Sequence, residues 1–310
     1  MEVRTHDDPA AWLEAVLPLL MLDEARHDLH LGLVHTLVHH PSIYPSKHLW
    51  SVEEAGTVVG AALQTPPHNL VLAQPVAEGA NALLADAIGS AGIQLPGVVG
   101  GRPEAEAFAA AWCARSGDTA RRVMGQGIYA LTEVRGVPAA AGTPRTATPD
   151  DLELLAGWIQ DFQDEVVPEE LRSDPEERRR RLGTMLTSDE EGIRLWEADG
   201  QVVSLSGFGG PTPNGIRIGP VYTPPDLRGR GYATTLVADL SRWQLASGRR
   251  FCFLHTDLAN ATSNAISPGL TIPRHSRASR SSVDGSFRSA IRRSSSVFCC
   301  CSWSACRWSP

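Results

Sequence analysis

Residues 219 to 240 read GPVYTPPDLRGRGYATTLVADL. Arg228 and Arg230 alternate with Gly229 and Gly231, directly ahead of a run in which Ala233, Leu236, Val237, Leu240 and Trp243 recur at helical spacing. Glycines leave backbone N–H groups unshielded, and the start of a helix adds partial positive charge. Such a turn suits an anion, above all a phosphate, and the two arginines point the same way. The residues that would carry this chemistry are Arg228, Gly229, Arg230, Gly231, Tyr232, Ala233 and Thr234.

Other chemistries compete for the same text. Gly229 and Gly231 match the first two glycines of a dinucleotide-binding Rossmann turn, and Asp257 stands where a ribose-binding acid would. Thr234 occupies the third glycine position, however, and Pro224-Pro225 interrupts the tight strand-to-helix turn, so this is the minor alternative. A P-loop lacks its Gly-Lys-Ser/Thr ending. The histidines at 27, 30, 35, 39 and 40 come without a His-Glu-x-x-His motif, and a solvated or partly packed helical face is expected of them. Cys299, Cys300, Cys301 and Cys306 are a poor zinc set, because three adjacent cysteines cannot all reach one tetrahedral ion without strain. No metal is expected.

The elements that must position the turn follow from periodicity. Helices are expected over 10–40, 77–92 and 103–116, three strands within 48–73, and a strand at 127–134. A stretch rich in Gly, Pro, Ala and Thr reads as a linker at 136–147. Past it come an acid-capped helix and the charged helix EERRRRLGTML. GIRLWEADGQVVSLSGFGG gives two strands about an Ala-Asp-Gly turn, and Asn214-Gly215 signals a hairpin into a third. The glycine turn and its helix then lead to RRFCFLHTD, whose apolar, aromatic run is that of a strand buried on both faces.

That context, with Arg228, Gly231 and Ala233 meeting an Arg/Gln-x-x-Gly-x-Gly/Ala fingerprint, resembles the GNAT superfamily of N-acetyltransferases over roughly 145–266. The resemblance implies a mixed α/β (α+β) central sheet flanked by helices, with acetyl-CoA as cosubstrate. It implies that backbone N–H groups of 229–234 bind the pyrophosphate and that main-chain groups of Val221 and Tyr222 pair with the pantetheine arm, while Asn260 and Asn264 divide between CoA contact and helix capping. An amine, either a small molecule or a protein N-terminus or lysine, would attack the thioester directly in the gap where the fingerprint strand and its parallel neighbour splay. By itself, Tyr222 reads as a packing residue and Asp257 as a cap or loop acid.

The resemblance stops at Ser267-Pro268. Ser267 stands where the family carries the tyrosine that protonates the leaving thiolate, and its hydroxyl is a much weaker acid. No catalytic residue is therefore assigned, and an acyl-CoA-binding sensor or pseudoenzyme is the alternative function. The text after 267 mixes Ser, Arg, Cys and Trp without period. With 27 Arg against one Lys in the chain, it reads as disordered or as an out-of-frame tail. If the family's closing strands are lost, FCFLHT is expected to expose an apolar edge.

The domains expected are 1–135, an accessory and candidate degenerate acetyltransferase-like half; 136–147, a linker; 148–266, an incomplete acetyltransferase domain; and 267–310, the tail. Net charge is -7, with +6 in residues 269–310 and -13 in the body. An acidic body argues against nucleic acid or an anionic membrane as partner. Sparse body cysteines and an N-terminus without a basic, apolar leader suggest the cytoplasm. Homodimerisation stays open.

Overall fold

The computed structural model of the chain describes residues 1–137, 139–258, 270–271 and 301–309. The first half runs β1 (Glu2–His6), α1 (Pro9–Leu20), α2 (Asp28–His39), β2 (His48–Glu54), β3 (Thr57–Gln64), β4 (Leu70–Leu72), α3 (Ala80–Ser90), β5 (Gly97–Gly101), α4 (Arg102–Ser116), β6 (Thr119–Leu131) and β7 (Glu133–Val134). The second runs β8 (Thr143–Thr146), α5 (Leu152–Val166), α6 (Pro175–Met185), β9 (Gly192–Ala198), β10 (Gln201–Gly209), β11 (Gly215–Tyr222), α7 (Tyr232–Ala246) and β12 (Phe251–Asp257). Two further strands follow, β13 (Leu270–Thr271) and β14 (Cys301–Ser309).

The order repeats. Each half presents a strand, two helices, three antiparallel strands, a helix, and a strand parallel to the third of those three. All strands except β7 and β13 join one mixed sheet in the order β1-β2-β3-β4-β5-β14-β6-β12-β11-β10-β9-β8. This is the expected mixed α/β architecture, and its antiparallel feed into β11 is not the doubly wound sheet of a Rossmann domain.

Side-chain alternation explains how the second half is layered. Along β9, Ile193 and Leu195 pack with Leu155 and Ile159 of α5, while Trp196 and Ala198 pack with Tyr232 and Leu236 of α7. Along β11 and β12, Ile216, Ile218, Cys252 and Leu254 meet Val237 and Leu240 of α7. Helix α7 thus covers one face of the sheet and α5 the other. Of the stripe expected on α7, Trp243 departs from the core. It is 42% exposed, packs edge-on to Phe208 and carries the Arg194 guanidinium over its ring at 5.1 Å.

Three expectations meet a different structure. The stretch 136–147 holds β8, which pairs with β9 at the sheet edge, and Trp196 Nε1 donates to Ala141 O at 2.9 Å. Groups about 50 to 95 residues away fix that segment, among them Thr235, whose Oγ1 accepts from Ala140 N at 2.9 Å, so its local composition could not reveal it. The apolar strand β12 is covered on both sides over Cys252–Leu254: β11 lies on one side, and Gln126–Leu131 of β6 pair antiparallel on the other. The first half supplies the strand on that side. Finally, Cys301–Ser309, expected without structure, form β14 between β5 and β6.

The halves also meet through polar groups. Glu24 accepts hydrogen bonds from Thr212 Oγ1 (2.5 Å), Asn214 N (2.7 Å) and Asn214 Nδ2 (2.9 Å) in the β10–β11 hairpin loop. Helix α2 approaches that loop backbone to backbone, since a Cβ on Gly32 would lie 2.8 Å from Gly210 Cα. His27 and His30, expected on a solvated or partly packed face, are fully buried. His27 Nδ1 donates to Leu20 O (2.8 Å) and its Nε2 accepts from Gln74 N (3.0 Å), which fixes it as a neutral, structural imidazole. His35 reaches across the halves to Glu190 at 3.1 Å. No three metal-ligating side chains converge among the described residues.

Candidate functional site

Helix α7 begins at Gly231, whose φ of +81° lies in the left-handed region, and no side chain caps its first amides. Gly229 shares that region at +77°. A β-carbon on either glycine would be strained there, so the sequence Arg-Gly-Arg-Gly makes a turn that only glycines form cheaply. The consequence is an exposed helix N-terminus whose amides face outward at the end of β11.

This turn heads a cleft of about 430 Å³ lined by Phe162, Glu165, Val166, Val221, Tyr222, Thr223, Leu227, Arg228, Gly229, Arg230, Gly231, Tyr232, Ala233 and Thr234. Nine residues singled out from the sequence, Val221, Tyr222 and Arg228 to Thr234, therefore share one wall-to-wall space. Asn260, Asn264 and Ser267 lie outside the described residues. Tyr232 turns its ring away from the open cleft and packs with Trp196 and Leu236.

The two arginines at the turn differ in their partners. Arg228 grips Glu165, at the end of α5, with two parallel bonds of 2.7 and 2.6 Å, and its Nε donates to Thr223 O at 2.8 Å. Its guanidinium lies 5.7 Å above the Tyr222 ring. Bonding to Arg228 lowers the Glu165 pKa, and the same bond raises that of Arg228. Arg230 donates to Asp226 O at 3.4 Å. Glu165 was not legible as a site residue, because it lies 63 positions before its partner with no motif to mark it.

Tyr222 is 6% exposed within the α5 core, near Trp158 at 6.0 Å between ring centroids. Burial first, then the nearby Asp161 charge, raises its phenol pKa. Its carbonyl accepts from Ser204 Oγ at 3.0 Å on the β10 side, so by strand alternation the main-chain groups of Val221 turn to the opposite side. That opposite side is open. The parallel ladder between β11 and β12 ends at Ile218–Leu254, whereas the strands run on to Tyr222 and Asp257. Here β11 carries a bulge, with Gly219 and Pro220 opposite the single residue Gly207 of β10. The result is a wedge-shaped gap next to the glycine turn. Cys252 offers no nucleophile beside it, as burial pushes its thiol up to about 12.

A cleft headed by an uncapped glycine turn, next to a parallel pair whose ladder stops short of the strand ends, agrees with comparison to known families. The model of the Acetyltransferase (GNAT) family matches residues 155–266. Residues 155–266 form a GNAT acetyltransferase domain. No curated protein matches the chain in sequence. Among solved structures, a GNAT-family acetyltransferase from Colwellia psychrerythraea superposes with a TM-score of 0.55 at 10% identity, over 99% of this chain and 100% of its own. A Drosophila protein gives 0.60 at 11% identity over 98% and 97%. A tandem GNAT protein from the clavulanic acid biosynthesis pathway gives 0.50 at 17% identity over 86% and 94%. These likenesses are of fold, and they extend through both halves of the chain. The GNAT domain belongs to a family of acyltransferases, with its glycine turn between β11 and α7.

In the first half, α3 also starts at a left-handed glycine, Gly79 at φ +82°. The preceding residues AQPVAE carry neither arginine nor a second glycine, so this half keeps the helix start without the turn. None of the helices among the described residues is long and apolar enough to cross a membrane.

Proposed function

We propose that the chain transfers an acetyl group from acetyl-CoA to a primary amine by direct attack. The observation that carries this reading is the uncapped start of α7 at Gly231, opening on the same cleft as Val221, which lies on β11 past the end of its ladder with β12. Backbone N–H groups of 229–234 would hold the diphosphate, where the helix dipole and the absence of Cβ atoms favour an anion. Main-chain groups of Val221 would take the pantetheine amides as a strand takes its neighbour. The thioester would then lie in the gap, where Arg228 and Arg230 flank the phosphates at its rim. Arg228 must exchange Glu165 for phosphate to do so.

Acetyl-CoA is expected to raise the melting temperature, and a panel of primary amines to release CoA thiol. Absence of both effects would remove the reading. A second reading, acyl-CoA binding without turnover, is favoured by Ser267 at the position of the family's acidic tyrosine. Thermal stabilisation without thiol release from any amine would select it.

A further inference from the structure

The cleft at the glycine turn already holds a cation, the guanidinium of Arg228. Glu165 accepts from its Nη1 and Nη2 at 2.7 and 2.6 Å, and the Thr223 carbonyl accepts from Nε at 2.8 Å. The guanidinium carbon lies 5.7 Å from the centre of the Tyr222 ring. A carboxylate in forked pairing and an aromatic face are the parts of which cation sites are built. Asp161 stands one turn before Glu165 on α5, and its charge is, after burial, a cause of the raised Tyr222 pKa. Phe162, Glu165 and Tyr222 thus give the cleft an acidic and aromatic wall, to which the glycine turn adds its amides and Arg230. Val221, whose main-chain groups would take the pantetheine arm, lines the same space.

A diphosphate on the α7 amides would draw Arg228 from Glu165, because phosphate oxygens accept the same fork of donors and carry more charge than one carboxylate. Glu165 would then face a cleft covered by acetyl-CoA, where an unpaired charge is costly. We infer, on the acyl-transfer reading above, that a second positive charge on the acceptor takes the place of the guanidinium against Glu165 and the Tyr222 ring. The acceptor class is then a dication, such as an alkyl diamine, and it binds after acetyl-CoA. The reacting nitrogen cannot fill that place itself, since it must first give its ammonium proton to solvent in order to attack. Once neutral, it bonds to the acetyl carbon as the C–S bond breaks, and one of its protons ends on the leaving sulfur. The far ammonium keeps all its protons and stays on Glu165. A monoamine leaves Glu165 without a cation, and an acceptor ending in a carboxylate sets like charges together, so both are disfavoured. Until acetyl-CoA arrives, Arg228 occupies the cation site, and the order of binding follows from that one arginine.

The test uses the full chain and thiol release from acetyl-CoA with diaminobutane, butylamine and aminobutyrate, which differ in the charge at the far end. In the parent, kcat/KM should be about tenfold higher for diaminobutane than for butylamine, with aminobutyrate lowest. Glu165→Gln should bring diaminobutane and butylamine within about twofold of each other by raising the diamine KM, and Glu165→Asp, which keeps the charge, should retain a preference for the diamine. Calorimetry supplies the order. Diaminobutane should bind the CoA-loaded chain at least about fivefold more tightly than the bare chain, and Arg228→Ala should bring the bare chain up to the loaded one. Equal use of diaminobutane and butylamine by the parent, or a preference that survives in folded Glu165→Gln, overturns the inference. Equal affinity of the bare and loaded parent for diaminobutane overturns the order. If acetyl-CoA stabilises the chain but no amine releases thiol, calorimetry decides: diamine binding lost in Glu165→Gln upholds the cation site, and binding unchanged or absent overturns it. No thermal shift and no release would instead bring down the acyl-transfer reading itself.

Discussion

Gly231→Asp separates the stability of α7 from its ability to hold an anion. The site has room, because a Cβ there would lie 3.9 Å from Ala140 Cβ, an ordinary contact. The cost to the free protein is backbone strain, about 1–2 kcal/mol for a side chain at φ +81°. An aspartate at a helix start returns about 0.3–1 kcal/mol through the dipole, and Asp tolerates the left-handed region better than most residues. Net destabilisation should therefore stay near 1 kcal/mol, a melting shift of about 2–4 °C or less. Binding should suffer far more. Two unit charges 4 Å apart repel by about 4 kcal/mol at an effective dielectric of 20. Even with half of that lost to solvent, about 2 kcal/mol remains, roughly a 30-fold rise in Kd. Calorimetry with acetyl-CoA, alongside thermal melts of the free protein, measures both quantities. Gly231→Ala provides the control, with the strain but no charge, and should bind more tightly than the aspartate variant. If Gly231→Asp melts cooperatively and binds acetyl-CoA within twofold of the parent, the α7 amides do not hold the diphosphate.

Glu165→Gln should cost under about 1 kcal/mol of stability, because its pair with Arg228 is roughly 40% exposed on each side. It should also tighten acetyl-CoA binding severalfold by removing the carboxylate that competes for Arg228; weaker binding by calorimetry would show that Glu165 instead holds Arg228 in place. Burial lowers the pKa of His30 to about 3 and lowers that of His27, so the unfolded chain takes up protons first as pH falls below about 6.5. From pH 6.5 to 5, His30 alone should cost about 2 kcal/mol of stability, read as a falling urea midpoint, and a slope unchanged in His30→Leu would refute this. Asp28 adds nothing in that window, since its stabilisation is present above about pH 4 and is lost only as pH falls toward about 2. Leu240→Ala, at a fully buried position between α7 and β12, should destabilise by about 2–5 kcal/mol, and a change under 1 kcal/mol in chemical denaturation would contradict the core described here.

Much of the second half was legible because its rules are local. The Asp199-Gly200 turn carries φ values of +51° and +74°, as a tight hairpin requires, and the strands on either side begin and end beside it. The glycines at 229 and 231 both take positive φ, and the apolar period after them makes α7. Backbone conformation and amphipathic spacing depend on neighbours a few residues away, so the chain text alone determines the glycine turn and the elements flanking it. Tertiary structure decided the rest. Which strand covers β12, which acid occupies Arg228, and whether His27 and His30 face water are settled by segments tens to hundreds of residues distant. Asp28 and His255 stand 227 positions apart, and no periodicity connects them. They meet because β6 leaves the first half to pair with β12, bringing α2 over the splayed end of the sheet. Strand partners are chosen by which edges remain free in the assembled sheet, a property of the whole fold that no short window of sequence contains.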